Sequence, residues 1–305
     1  MDNSTLLVLG DSVPWGQGLR DEHKAHTLVA ERLSAEFPGI TTAVLAHSGA
    51  VIGRAAHCTN STFPGEMPES CPSILQQISA FPGDPASVAV VMLDGGINDI
   101  DIRTILSPFT NPADLSSDIL QYCFHDMGFL LTQVKARFSH PDTKIVVSSY
   151  FPILSPQSHF DLVPALMEFM GVPLPQIIQV DPFGGFNPIV AKIVSQSLQF
   201  WRESSQRLTE AVNAVNVGTG PRCLFANVPF TEAHSVFAPE AWLFGVGPAP
   251  DFAPQDEVAD LRRPQCDVTF ANDPLAREQC HRASAGHPNV LGAAEFALTI
   301  LNTLA

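Results

Sequence analysis

The residues that could carry out chemistry occur in four short groups. Gly10-Asp11-Ser12 directly follows an apolar segment near the N-terminus, and Gly49 lies in a similar position after the next apolar segment. Asn98 follows Gly95-Gly96 after a third apolar segment, and His287 precedes the last helix-like segment. Acyl transfer requires these residue types: a nucleophile, a base and donors for a developing oxyanion. Because a lone serine after a strand is also a common turn or helix cap, the four groups are informative only together.

Five apolar segments alternate with helical segments along the chain. The predicted strands are residues 5–9, 40–46, 87–93, 144–150 and 222–227. Helical spacing covers residues 24–37, 113–138, 193–216 and about 289–304. Strands that are apolar throughout and alternate with helices predict a parallel sheet covered on both faces. The carboxyl ends of such strands meet at one edge of the sheet, so we expect the four groups to converge there.

Two segments interrupt this alternation. Residues 151–190 are rich in Pro, Phe and Leu with little charge, and residues 228–286 contain many prolines and two cysteines. Long segments of this kind usually form lids or pocket walls, and they also pack as small satellite cores. No linker separates two halves of the sequence. We therefore expect one domain over residues 1–305, with insertions at about 151–190 and 228–286.

The four groups resemble the sequence blocks of the SGNH (GDSL-type) hydrolase family, which are Gly-Asp-Ser, a glycine, Gly-x-Asn-Asp and Asp-x-x-His. The matching residues here are Gly10-Asp11-Ser12, Gly49, Gly96-Ile97-Asn98-Asp99 and His287, in the same order and with similar spacing. The resemblance implies a three-layer α/β/α sandwich with a flavodoxin-like parallel sheet of about five strands. It also implies an esterase or lipase that needs no cofactor and no metal.

The resemblance implies a role for each matching residue. Ser12 is expected to attack an ester carbonyl, and His287 to take its proton and later protonate the leaving alcohol. The backbone N–H groups of Ser12 and Gly49 and the side-chain amide of Asn98 are expected to form an oxyanion hole. These roles predict a serine esterase that cleaves carboxylic esters through an acyl-enzyme.

One position departs from the family pattern. Ser284 stands where the family has an aspartate, three residues before His287. A carboxylate would orient the imidazole and stabilise its charged form, whereas a hydroxyl adds no charge. The hypothesis we favour is a Ser12–His287 dyad, oriented by Ser284 or by a backbone carbonyl. A second hypothesis takes the acid from Asp273 or Asp267, and a third is a weakened enzyme or a protein that binds esters without turnover.

The sequence leaves the substrate open between several esters. The apolar residues of segment 151–190 favour lipid-like or simple acyl esters, because acyl-chain pockets are apolar. Trp15 and Trp242 would instead suit a carbohydrate O-acetyl esterase. An acyltransferase would use the same catalytic residues with an alcohol in place of water. The oligomeric state is not predicted.

Composition and charge exclude other classes of protein. The 305 residues are 45% hydrophobic and 15% charged, which rules out disorder as the dominant state. Lys and Arg number 16 against 31 Asp and Glu, and this net charge of −15 without a basic run argues against a nucleic-acid partner. No apolar stretch reaches about 18 residues, so no transmembrane segment is predicted.

Six cysteines indicate disulfides and an oxidising location. Cys58 and Cys71 bracket one loop-like stretch and Cys266 and Cys280 another, and neither pair has the spacing of a zinc site. We predict a disulfide between Cys266 and Cys280, which would restrain the segment that leads to His287. We therefore expect a secreted or extracytoplasmic protein, with no signal peptide in this sequence. The alternative is a cytoplasmic enzyme with reduced thiols.

Overall fold

The computed structural model describes residues 4–54, 64–171, 188–218, 220–246 and 256–305. The strands are β1 (Thr5–Val8), β2 (Thr41–Val44), β3 (Val88–Leu93), β4 (Lys144–Ser148) and β5 (Cys223–Ala226). Within the described residues they form a five-stranded, all-parallel sheet with the order β2-β1-β3-β4-β5. This is the flavodoxin-like order, in which ligands bind beyond the carboxyl ends of β1 and β3.

The predicted strands are confirmed, each slightly shorter than predicted. All of β1 is buried, as is nearly all of β3, because helices cover both faces of the sheet. The edge strand β2 is exposed at Thr41 and Thr42. The apolar segments were therefore correct indicators of central strands of a parallel sheet.

Helices flank the sheet in two layers. The helices are α1 (Ser12–Trp15), α2 (Ala25–Leu33), α3 (Ile74–Ala80), α4 (Ile97–Ile100), α5 (Ile102–Ile105), α6 (Pro112–Leu120), α7 (Met127–Arg137), α8 (Val163–Met170), α9 (Pro188–Asn216), α10 (Ala259–Thr269), α11 (Pro274–His281) and α12 (Val290–Leu304). Helix α12 packs on α2 and against β4 and β5, whereas α9 packs on α6, α7 and β5. None of the described helices is long and apolar enough to cross a membrane.

The predicted helix over residues 113–138 is more complex than expected. A π-helical segment, Gln121–Asp126, lies between α6 and α7 and widens the turn. Hydrophobic periodicity cannot detect such a change, because it leaves the apolar residues close to their helical spacing. The predicted helix over 193–216 also begins earlier, at Pro188, so the last residues of the 151–190 insertion belong to α9.

The described part of the insertions contains helices as well as loops. Helix α8 lies in the first insertion, and α10 and α11 lie in the second. A disulfide joins Cys266 of α10 to Cys280 of α11, as predicted. Both sulfurs pack with Met67 and Phe270 in a small apolar cluster separate from the main core. Cys58 of the other bracketing pair lies outside the described residues.

Candidate active site

Ser12 lies at the carboxyl end of β1, as the first residue of α1. The preceding Gly10 has φ of +122°, and a side chain there would collide with Pro14 and Asp94. Asp11 caps α1 by accepting the Val13 N–H at 2.9 Å. Ser12 is only 5% exposed. The strand-to-helix turn therefore presents the serine hydroxyl from a tightly held backbone.

His287 reaches Ser12 from the other end of the chain. Its Nε2 lies 2.7 Å from the Ser12 Oγ, and its Nδ1 lies 3.2 Å from the Ser284 carbonyl oxygen. The same carbonyl accepts the His287 backbone N–H at 2.9 Å. A carbonyl can only accept, so Nδ1 carries the proton and Nε2 is free to accept the Ser12 proton.

Burial lowers the pKa of His287 to about 4. The carbonyls of Ser284 and Ala285 oppose this shift, and the Arg262 cation adds to it. The imidazole is therefore neutral at pH 7, which is the form that a general base requires.

Asp267 and Asp273, the alternative candidates for the acid, contact partners other than His287. Asp267 Oδ1 lies 2.8 Å from Nε2 of a different histidine, His281. Asp273 caps α11 by accepting the Ala276 N–H at 3.0 Å. Both carboxylates serve the α10–α11 segment itself, so neither orients His287. The group in contact with His287 Nδ1 is the backbone carbonyl of Ser284, which any residue at that position could supply.

The three predicted oxyanion donors line the same pocket as His287. Gly49 has φ of +80°, and a Cβ there would lie 2.7 Å from the Glu69 nitrogen, so only glycine fits. Asn98 donates one amide N–H to the Ala50 carbonyl at 3.0 Å, and an amide has a second N–H to offer. Within the described residues, the N–H groups of Ser12 and Gly49 have no protein acceptor.

Asp99 connects α4 to the segment that follows Gly49. Its carboxyl oxygens lie 3.0 and 3.2 Å from the Ile52 nitrogen, whose N–H they accept. Burial raises the pKa of Asp99 to about 6, and the nearby carboxylates of Asp126 and Asp11 add to this shift. The residue after Asn98 therefore has a structural role, because it ties the helix that contains Asn98 to the segment that follows Gly49.

A buried polar group next to the Ser12 turn was missed by the sequence analysis. The Tyr150 hydroxyl donates to Asp11 Oδ2 at 3.1 Å and accepts the Ile97 N–H at 3.3 Å. Asp94 accepts the Asp11 backbone N–H at 3.4 Å. Burial and the adjacent Asp11 carboxyl raise the pKa of Asp94 well above its ordinary value. Tyr150 is the last residue of the predicted strand 144–150, and Asp94 directly follows the predicted strand 87–93. Their position at the carboxyl edge of the predicted sheet was the signal in the sequence that could have identified them.

Arg262 is the second group that the sequence analysis missed. Its side chain is completely buried and pairs with Glu66 at 3.0 Å and with Asp256. It also donates to the carbonyls of Cys280 and His281, at 2.9 and 3.0 Å. Arg262 thus holds the end of α11, which leads directly to His287.

Glu66 extends this network to the nucleophile side. It accepts the Trp15 indole N–H at 2.8 Å and the Gln17 amide at 2.9 Å. Both donors lie within five residues of Ser12. The Glu66–Arg262 ion pair therefore connects the segment after Ser12 with the segment before His287.

The pocket above Ser12 and His287 has a volume of about 310 Å³. One wall comes from α5 and the residues after β4, a second from α8, and a third from the α10–α11 segment. The apolar side chains of these walls include Ile102, Leu106, Phe151, Ile153, Leu166, Met170 and Phe270. The described parts of the insertions thus contribute pocket walls, and the cluster around the disulfide is a satellite core beside one of them.

Neither tryptophan proposed for sugar binding lines the pocket. The Trp15 ring lies under the Lys24 ammonium, with its indole N–H donated to Glu66. Trp242 stacks on His234 with ring centroids 3.5 Å apart. The expectation that these rings form sugar-binding walls is therefore not supported. Among the described residues, no group of three or more His, Cys, Asp or Glu could hold a metal.

Comparison with known proteins supports the fold. No protein-family model matches the chain, and neither does any curated protein sequence. The crystal structure of phospholipase A1 from Streptomyces albidoflavus NA297 is similar, with a TM-score of 0.50 and 14% identity over 99% of both chains. The acetyl xylan esterase AlAXEase has a TM-score of 0.43 and 12% identity, over 99% of this chain and 100% of the other.

The psychrotrophic esterase EstA from Pseudoalteromonas sp. has a TM-score of 0.40 and 12% identity, over 99% of this chain and 96% of the other. The identities are low and the other two TM-scores are below 0.5, so only the similarity to the phospholipase supports a structural conclusion. That similarity shows a shared fold along nearly the whole chain. The three-layer fold implied by the resemblance to SGNH hydrolases is therefore confirmed.

Proposed function

We propose that the protein is a serine carboxylic ester hydrolase of the SGNH type that works through an acyl-enzyme. The observation that carries this proposal is the 2.7 Å contact between His287 Nε2 and Ser12 Oγ in a pocket also lined by Gly49 and Asn98. A nucleophile paired with a neutral base, next to free N–H donors, meets the geometric needs of acyl transfer.

The reaction proceeds in two halves. In the first, Ser12 Oγ attacks the ester carbonyl carbon while His287 Nε2 takes the hydroxyl proton. The carbonyl oxygen becomes an oxyanion that accepts hydrogen bonds from Ser12 N–H, Gly49 N–H and the Asn98 amide. His287 then protonates the leaving alcohol, and the acyl group stays on Ser12. In the second half, a water replaces the alcohol and the same steps release the acid.

The imidazolium that forms in each half faces a carbonyl rather than a carboxylate. The Ser284 carbonyl holds Nδ1–H and so selects the tautomer. A neutral acceptor stabilises the positive ring less than a carboxylate would, so the base works as part of a dyad. We propose that this arrangement is active, because the nucleophile, base and oxyanion donors share one pocket.

The apolar walls of the pocket support a lipid-like or simple acyl ester as substrate. Ile153, Leu166 and Met170 offer hydrocarbon surface close to Ser12, and fully burying an aliphatic side-chain-sized group is worth roughly 1.5–3 kcal/mol. A series of 4-nitrophenyl esters with acyl chains from two to sixteen carbons tests this. Maximal kcat/KM on the acetyl ester would instead favour an O-acetyl esterase.

Three further properties are proposed with this function. The Cys266–Cys280 disulfide supports a secreted or extracytoplasmic location, because such bonds persist in oxidising compartments. Both insertions contribute walls to the pocket that contains Ser12, which supports one hydrolase domain over residues 1–305. The net charge of −15 supports an uncharged or small-molecule ester, rather than a nucleic acid, as the partner.

The experiment that tests the function is Ser12→Ala, with Ser48→Ala as a matched control. Both serines are buried and line the pocket, but only Ser12 contacts His287. Removing a catalytic serine typically lowers kcat by about 10⁶-fold, whereas Ser48→Ala should retain activity. A fluorophosphonate should label Ser12 alone. Labelling of Ser48, or ester hydrolysis by Ser12→Ala, would contradict the proposal.

Product analysis with an added alcohol distinguishes hydrolysis from acyl transfer.

A further inference from the structure

We propose that Tyr150 is a positioning residue, whose hydroxyl keeps the nucleophile Ser12 and the oxyanion donor Asn98 at a fixed separation. This inference rests on the proposed ester hydrolase activity of the same site. Tyr150 is fully buried and does not line the pocket, so it acts only through its neighbours.

The Tyr150 hydroxyl lies between the starts of two short helices. It donates to Asp11 Oδ2 at 3.1 Å, and Asp11 is the residue that caps α1 and precedes Ser12. It accepts at 3.3 Å the N–H of Ile97, the first residue of α4 and the neighbour of Asn98. A single oxygen thus joins the backbone that presents the nucleophile to the backbone that presents an oxyanion donor.

Helix α4 depends on this hydroxyl because it lacks a capping side chain of its own. Its N-terminal cap is Gly96, with φ of +118°. The first N–H groups of a helix have no partner inside the helix, so the Ile97 N–H needs an external acceptor. Tyr150 supplies that acceptor. Asp99 ties α4 to the segment after Gly49, and not to α1.

The ring is held firmly, which makes the hydroxyl a fixed point. Tyr150 is 0% exposed and its ring centroid lies 5.4 Å from that of Phe200 in α9. Removing the hydroxyl leaves the N–H of half-buried Ile97 and one oxygen of fully buried Asp11 without this partner. Such groups move to find new partners, because an unpaired buried polar group is costly. Movement of α4 would carry Asn98 away from the position that the oxyanion occupies.

The kinetic consequence is specific to the transition state. Oxyanion donors bind the tetrahedral species more tightly than the ground-state ester, so their displacement lowers kcat with little change in KM. Displacing a catalytic group by about 1 Å costs on the order of 10²-fold in rate. We therefore expect Tyr150→Phe to lower kcat by about 10- to 100-fold, with KM within about twofold of the wild-type value.

The experiment compares Tyr150→Phe with Tyr122→Phe, the same change at the other tyrosine of the chain. Tyr122 is partly buried in the π-helical segment and serves as the matched control. For each variant, kcat and KM on a short ester are measured beside the inhibition constant of an aryl boronic acid, which mimics the tetrahedral species. We expect Tyr150→Phe to raise that constant by the same factor by which kcat falls. Tyr122→Phe should change neither quantity.

Several outcomes would overturn the proposal. One is an unchanged kcat in folded Tyr150→Phe. Another is a loss of kcat with no change in boronate affinity, because that combination indicates a merely structural role of Tyr150. If Tyr150→Phe does not fold, 4-aminophenylalanine at this position retains a group that donates and accepts. The proposal then requires its kcat and boronate affinity to change by one common factor, and unequal factors would refute it.

Failure of the proposed function gives a different result. If the protein is not a serine esterase, fluorophosphonate will not label Ser12 in the wild-type chain. If it is, and only the role of Tyr150 is wrong, Ser12 will be labelled at the same rate in wild type and Tyr150→Phe.

Discussion

Different kinds of structure hold the two sides of the proposed site: the nucleophile side, which contains Ser12 and Asn98, and the base side, which contains His287. Ser12 and Asn98 follow β1 and β3, two adjacent central strands, and hydrogen bonds to the hydroxyl of buried Tyr150 join the turns that contain them. His287 follows the α10–α11 segment, which lies outside the sheet. That segment is restrained by the Cys266–Cys280 disulfide and by buried Arg262.

The difference follows from where each segment finds its stabilising contacts. A turn between a buried strand and a helix inherits the rigidity of the main core. The α10–α11 segment instead packs on a small cluster around Met67 and Phe270, too small to fix its position by apolar burial alone. A cross-link and an ion-pair network therefore replace the core on the base side, and changes to them should act mainly on His287.

The largest expected effect comes from Arg262→Met, which tests whether the base side depends on its ion pairs. Removing the buried cation leaves the half-buried carboxylates of Glu66 and Asp256 without their partner, and breaking a fully buried pair in this way costs about 3–5 kcal/mol, which is the upper bound here. Urea unfolding measures this loss. The matched control is Arg263→Met, since Arg263 is more than half exposed and pairs with an exposed aspartate. Equal stability of the two variants would show that the network does not hold the segment.

Removing the disulfide should have the next largest effect. The pair of changes Cys266→Ser and Cys280→Ser opens a loop with a sequence separation of 14 residues. Closing a loop of about 15 residues is worth about 3 kcal/mol in the chain-entropy account, which is one model of the effect. Thermal unfolding should therefore begin at lower temperature, and kcat should fall because His287 is held less firmly against Ser12. Peptide mapping without reduction provides the control, and free thiols at both positions would contradict the bond.

The dependence of kcat/KM on pH tests whether a carboxylate contacts His287. Because burial lowers its pKa to about 4, the imidazole stays neutral until the pH falls to that value. We expect that protonation of His287 does not lower kcat/KM of the wild-type protein between neutral pH and about pH 4. Below that pH it should fall about tenfold per unit, as protonation removes the base. An acid limb near the ordinary histidine value of about 6.5 would show a more solvated or carboxylate-paired ring.

The smallest effects are expected at the candidate third members of the site. Ser284→Ala retains the backbone carbonyl that holds Nδ1, so kcat should fall less than about tenfold. Asp267→Asn and Asp273→Asn should stay near the wild-type rate, because these carboxylates contact His281 and cap α11. Loss of the aspartate from a serine protease triad costs about 10⁴-fold. A loss of that size in any folded variant would contradict the dyad and would indicate that the substituted residue is the third member of a triad.

Sequence reasoning succeeded best where chemistry and secondary structure coincide. Fully apolar segments such as residues 5–9 predict central strands, and polar residues directly after them must lie at the carboxyl edge of a parallel sheet. Ser12, Gly49 and Asn98 could therefore be placed together from their positions along the chain. His287 could be included because it precedes the final helix, in the order that the resembled family shows.

Contacts between distant segments were not predictable in the same way. Arg262 and Glu66 are 196 positions apart, and nothing in the local pattern of either residue indicates the other. Tyr150 reads simply as the last residue of an apolar strand. Asp267 and Asp273 are near His287 in sequence, but helices α10 and α11 direct their carboxylates to other partners. Proximity along the chain therefore does not determine which group a carboxylate contacts.

The order of residues in the chain was enough to predict the sheet and the edge at which Ser12, Gly49 and Asn98 meet, and to propose a nucleophile, a base and oxyanion donors. Those features depend on hydrophobic burial and on local turns, which each segment encodes by its own composition. The folded structure settled how the imidazole is oriented, which walls enclose the pocket and which buried groups join the two sides. These features depend on directional contacts a few ångströms long between segments far apart in sequence, such as the Tyr150 hydroxyl with Asp11. Their geometry exists only after the main core has brought the segments together.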